Sequence, residues 1–165
     1  PTQSSSIINE TYNFKTSKLV SDGNSIFISN NKNEFYSIDV KTGTTNWISD
    51  INSNIMPVIT GNLIFTVSNE GYLYAIEKNK GNIIRVTDLF KIYKQKKRKN
   101  IYPIGFVIGN KNLYLTNSDG KMIVVDLQNG SILKTEKVSS NLVSNPFIFN
   151  NNLFLVRNGS IIQYN

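Results

Sequence analysis

An all-β fold of about four repeated, four-stranded antiparallel sheets is predicted by three observations. A ten-residue phrase recurs as "EFYSIDVKTG" at 34–43, "YLYAIEKNKG" at 72–81 and "KMIVVDLQNG" at 121–130, and the stretches before it align without a gap. Within each unit, short runs of β-branched and aromatic residues are separated by Gly- or Asn-bearing turn signals. A proline-marked apolar run opens three of the units: "MPVITGN" (56–62), "YPIGFVIGN" (102–110) and "NPFIFNN" (145–151).

Each element of one unit follows from its residues. The opening run is a strand whose proline lies near its beginning, where the missing N–H can face away from the ladder. "LIFTVS" (63–68) and "YLYAIE" (72–77) carry strand-type side chains, and "NEG" (69–71) between them is a tight turn. "KNKG" (78–81) then makes a longer hairpin loop whose Gly takes the left-handed conformation. A last strand, "NIIRVTD" (82–88), matches "TTNWISD" (44–50) and "SILKTEKV" (131–138). In this register Phe27, Phe65, Tyr114 and Phe154 are equivalent, as are Asp39, Glu77 and Asp126.

The units span about 15–50, 55–88, 102–138 and 145–165, with a further strand at 4–10, and form one domain over 1–165. A lone sheet cannot cover both its apolar faces, whereas radial stacking of such sheets covers them, as in a β-propeller. Two readings of the ring follow. The strand at 4–10 completes the last blade and closes a ring of four, or the chain is part of an eight-bladed ring. In the second reading a homodimer, or further blades, would complete the circle.

Composition narrows the function classes. The net charge is +7 and the pI about 9.6, which favours anionic partners. With no Cys and no His, a zinc site, a heme site, a Cys nucleophile and a Ser–His–Asp triad are excluded. The recurring carboxylates Asp39, Glu77 and Asp126 read as turn caps, because a catalytic pair would occur once and not in every unit. No calcium loop and no phosphate-cradling Gly loop is present, so neither a catalytic nor a metal site is expected.

The phrases "YLYAIEKNKG" and "IDVKTGTTNW" (38–47) resemble the quinoprotein-type, or PQQ-like, propeller repeat. In that repeat an acidic residue ends a strand, Thr-Gly or Asn-Gly turns it, and Trp follows four residues after the Gly. Trp47 holds that place after Gly43, while Arg85 and Lys134 hold it after Gly81 and Gly130. Within this superfamily the chain is most similar to the C-terminal part of the outer-membrane protein assembly factor family BamB. The ending "PFIFNNNLFLVRNGSIIQYN" (146–165) is similar to that family's last blade. The segment 102–126 resembles an internal blade, with Phe106 where Pro is usual.

This resemblance implies a non-enzymatic, cofactor-free interaction scaffold: an eight-bladed periplasmic lipoprotein associated with the outer membrane. It implies as partners the barrel-inserting assembly protein and its unfolded barrel substrates. Two alternatives share the repeat, a fragment of a PQQ-dependent dehydrogenase and a generic propeller adaptor. The dehydrogenases carry a Trp under the cofactor, a calcium cage and an Asp base. Here Trp47 is the only Trp, and the repeat gives it a packing role between blades.

One unit breaks the pattern. Gly43 and Gly81 lie 38 residues apart, but Gly81 and Gly130 lie 49 apart. The extra residues fall in "TDLFKIYKQKKRKNIYP" (87–103), a blade-to-blade connection on one face of the disc. Lys94, Lys96, Lys97, Arg98 and Lys99 there are candidate contacts for an acidic protein surface or an anionic membrane, with Lys91 beside them. Nucleic acid is not expected, because the run is short and no other blade carries a matching basic stripe. The equivalent connection at 49–57 offers Asp50 and Asn52, a partial match to an acidic pair that contacts the assembly partner in the BamB-like family.

Overall fold

The computed structural model describes residues 14–140 and 143–164. Four antiparallel sheets follow one another along the chain, each with its strands in sequence order. Blade 1 contains β1 (Val20–Ser21), β2 (Ser25–Ser29), β3 (Phe35–Asp39) and β4 (Thr45–Ser49). Blade 2 contains β5 (Val58–Thr60), β6 (Leu63–Val67), β7 (Tyr72–Glu77) and β8 (Ile83–Asp88). Blade 3 contains β9 (Pro103–Gly109), β10 (Asn112–Asn117), β11 (Lys121–Asp126) and β12 (Ile132–Lys137). Blade 4 contains β13 (Phe147–Phe149), β14 (Asn152–Arg157) and β15 (Ser160–Tyr164). The strand expected at 4–10 lies outside the described residues.

The first strands of blades 2, 3 and 4, through Val58, Phe106 and Phe147, and Lys18 just before β1 line one cavity of about 520 Å³. This is the arrangement of propeller blades around a hub. The turn carboxylates hold the hairpins between strands. Asp39 Oδ1 accepts from the backbone N–H groups of Lys41 and Thr42, and Asp126 Oδ1 from those of Gln128 and Asn129. Glu77 instead accepts from the Asn82 side chain.

Strand alternation sends successive side chains to opposite faces, so each blade has one face for the blade before it and one for the blade after. Phe27 and Phe35 of blade 1 meet Ile64 and Ile76 of blade 2 in one apolar cluster. Phe65, Val67, Leu73 and Ala75 of blade 2 meet Leu113, Leu115, Ile123 and Val125 of blade 3. Met122 and Val124 of blade 3 meet Leu153 and Leu155 of blade 4. Among the described residues no such cluster joins blade 4 to blade 1.

A second contact repeats at the rim. Trp47 on β4 stacks over Gly81 in the next blade's hairpin loop, and its Nε1 donates to the Lys78 carbonyl at 2.9 Å. Arg85, at the equivalent place on β8, reaches over Gly130 and donates to the carbonyls of Leu127 and Gln128 at 2.7 and 2.6 Å. A Cβ on Gly81 would lie 2.6 Å from the indole, and one on Gly130 would lie 2.8 Å from Arg85 Nε. Thus an aromatic and a cationic side chain perform the same docking, because each offers a flat N–H-bearing group. Lys134 follows a different course: its ammonium pairs with Glu136 and lies over the Tyr164 ring.

Blades 1 and 2 are also tied by Lys78, whose ammonium lies 2.8 Å from Asp22. Hydrogen bonding from Lys78, with the backbone N–H of Ser25, holds the Asp22 carboxyl down at about 2.

Ala in the left-handed region costs about 1–2 kcal/mol at either Gly43 or Gly81, but only at Gly81 must it also displace an indole. Gly81→Ala therefore loses more stability than Gly43→Ala, by roughly 1–3 kcal/mol in urea denaturation. For Asp22 the folded pKa lies below the unfolded one, so its stabilisation is complete above about pH 4 and is lost as pH falls toward 2. Asp22→Asn removes that part of the acid dependence in stability measured against pH.

Candidate functional site

The eleven-residue insertion does not form an open loop. After β8 the chain makes a 3-10 turn, Leu89–Ile92, capped by Asp88, whose Oδ1 accepts from the Phe90 N–H. One α-helical turn, α1 (Gln95–Arg98), follows. Leu89 and Phe90 are fully buried, and Tyr93 and Ile101 nearly so. Phe90 covers Gly71 in the β6–β7 turn, where any Cβ would collide with the ring at 2.1 Å. The apolar half of this segment is thus part of the core between blades 2 and 3.

Polar contacts fix the basic half. Arg98 Nη1 donates to Asp88 Oδ2 at 2.7 Å, its Nη2 donates to the Glu70 carbonyl, and the guanidinium lies over the Tyr72 ring. The bond from Asp88 holds Arg98 firmly protonated, its pKa raised further above its usual value. On the blade 3 side, the Tyr93 hydroxyl donates to Asp119 and accepts from Asn117. Burial, reinforced by the Asp119 charge, pushes the Tyr93 phenol well above its usual value, so it stays a donor. Lys97 and Lys121 approach Asp119 at 3.5 and 3.9 Å, and both ammonium groups lie over the Tyr93 ring.

The segment is therefore a bridge fastened to the β6–β7 turn on one side and the β10–β11 turn on the other. Its carboxylate neighbours, Asp88 and Asp119, are taken up by Arg98, Lys97 and Tyr93. Lys91, Lys94, Lys96 and Lys99 are left exposed on its outer surface. Below them runs a groove of about 400 Å³ lined by Asn69, Glu70, Gln95, Arg98, Lys99 and Ile101.

The connection at 49–57 reaches the same turn. Asn52 donates to Glu70, and Asn69 donates to Asn52 at 2.8 Å. Glu70 and its neighbour thus link Asn52 to Arg98, two candidates that the sequence placed in different connections. Asp50 is exposed and stands apart from this network. Among the described residues, no group of acidic, His or Cys side chains could hold a metal ion. No helix there is long and apolar enough to cross a membrane.

The family model described as outer membrane protein assembly factor BamB matches residues 2–87. The chain belongs to this family.

Among solved structures, the chain is similar to BamB from Moraxella catarrhalis, with a TM-score of 0.70 and 15% identity over 89% of this chain. It spans 41% of that protein's length. It is equally similar in fold to two computationally designed proteins, Ika4 and Ika8, with a TM-score of 0.69 and 11% identity to each. It spans 89% of the first and 45% of the second. No curated protein matches the chain.

The sequence located the basic run but missed what fixes it. Tyr93, Asn117, Asp119, Asp88 and Tyr72 carry no motif of their own. Only the coincidence of an aromatic inside a basic run with a carboxylate in the next blade's turn could have suggested the bridge. Tyr93→Phe keeps the ring but strips the hydroxyl from Asp119 and Asn117. It should lower stability by about 1–3 kcal/mol, read from chemical denaturation, with the loss reduced when Asp119→Asn is added.

Proposed function

We propose that the chain is a non-enzymatic interaction scaffold that assists the insertion of outer-membrane β-barrel proteins in the periplasm. Its docking surface is the face where the 49–57 and 89–102 connections converge. Membership of the BamB family supports this reading. The observation that carries it is the basic bridge: an insertion breaking the repeat, held rigid by buried Phe90 and Tyr93, that presents four unspent lysines.

Rigidity matters because a partner then orders few side chains on binding, which lowers the entropic cost of association. The charge speeds encounter with an acidic surface and sets its orientation. The buried apolar residues favour a protein partner over a lipid one. Leu89, Phe90, Tyr93 and Ile101 all face inward, leaving Ile92 and Tyr102 as the exposed large apolar side chains of the segment. Peripheral attachment by basic residues alone contributes only about 1 kcal/mol each near an anionic bilayer.

The partner in this reading is the periplasmic part of the barrel-inserting protein, and the unfolded barrel strands are its cargo. Replacing Lys91, Lys94, Lys96 and Lys99 together by Gln should weaken binding to that partner about tenfold or more, in calorimetry at physiological salt. The melting temperature should stay close to that of the parent chain, because all four side chains are exposed and none is a member of the ion pairs that fasten the segment. Unchanged affinity at unchanged stability would remove the bridge from the docking surface.

A further inference from the structure

We infer that the cavity between the first strands is a binding site for a small apolar carboxylate, of which a medium-chain fatty acid is the simplest example. Lys18 holds the carboxylate, and Met56, Val58, Phe106 and Phe147 receive the hydrocarbon chain. The inference stands apart from the docking reading of the basic bridge.

Strand register shows which residues share this space. Val20, Val58, Val107 and Phe147 are equivalent, because each pairs with the matching aromatic of its second strand: Phe27, Phe65, Tyr114 and Phe154. Two residues before each, hence on the same side of an extended chain, stand Lys18, Met56, Gly105 and Asn145. All four line the cavity of about 520 Å³. One level of this space thus carries a cation, a thioether, a bare backbone and an amide. The glycine makes room for the amide: a Cβ on Gly105 would lie 2.2 Å from Asn145 Oδ1.

The walls are largely apolar. Phe106 is nearly buried in the core, but Met56 and Phe147 keep 44% and 39% of their surface accessible. Lys18 is the one charged residue of the lining, and no Asp or Glu belongs to it. Lys18 is also absent from the ion pairs formed among the described residues. A single unneutralised cation beside apolar walls complements a ligand with one negative charge and a hydrocarbon body.

Other small ligands fit this composition less well. A nucleotide brings several negative charges, which one ammonium group cannot meet. A sugar needs more hydrogen-bonding partners than Thr16, Asn54 and Asn145 supply, and each unmet polar group costs affinity. The volume lies in the range of small-molecule sites, about 300–1,000 Å³.

Calorimetric titration of the purified 165-residue chain with decanoate, below its micelle concentration, tests this. Decyltrimethylammonium, with the same chain length and the opposite charge, is the control. Decanoate should bind once per chain and more tightly than the control. Lys18→Gln should weaken decanoate about tenfold and leave the control unchanged or stronger. Met56→Glu, which sets a carboxylate at the equivalent position, should abolish decanoate binding. Both substituted residues are exposed, so the β-type circular dichroism spectrum should not change. Absence of decanoate binding to the parent chain overturns the proposal. So does equal affinity for the two amphiphiles, or decanoate binding indifferent to both substitutions.

Discussion

Everything in this molecule depends on covering the two apolar faces of each four-stranded sheet. A blade alone would leave rows of Phe, Ile and Leu in water, at roughly 25 cal/mol for each Å² of apolar surface. Stacking removes that exposure, and strand alternation makes it repeatable, because one face always belongs to the previous blade. The rim contacts then fix the angle of stacking. Trp47 and Arg85 differ in every chemical respect except that each lays a flat donor group over a glycine and hydrogen-bonds a carbonyl beside it.

The basic bridge uses the same scaffold for a different end. Its Phe90 and Leu89 extend the core between blades 2 and 3, so the insertion is anchored by the interface it crosses. That anchoring separates the charges into two groups. Arg98 and Lys97 neutralise Asp88 and Asp119 and hold the segment down, whereas the remaining lysines face outward. A mobile basic loop would present the same charge with far less definition. The docking surface we propose lies where the repeat is broken, and the buried residues of the insertion pin it there.

Much of the fold was legible because its determinants are local. Recurring Gly, Asn and Pro marks set the turns, and two-residue alternation set the faces, so strand boundaries follow from neighbouring residues. The packing of Trp47 was legible too, since its place in the repeat is distinctive. Arg85 was not, because it appears as a departure from the Trp position until the carbonyls of Leu127 and Gln128 are seen within its reach. The Tyr93–Asp119–Asn117 set was hidden for the same reason. Its members lie 24 and 26 residues apart and meet only when two blades stack. Contacts made between units, unlike those made within a turn, leave no spacing to read.

The central claim is that outer-strand side chains seated over the next blade's glycine hold the blades in register. A double-mutant cycle of Trp47→Ala and Gly81→Ala, read by chemical denaturation, tests it most directly. If the indole is the obstacle to a Cβ at Gly81, the glycine substitution should cost markedly less once the indole is gone. The coupling should then be about 1 kcal/mol or more. Strict additivity of the two losses would show that Trp47 and Gly81 do not act together, and would contradict the account.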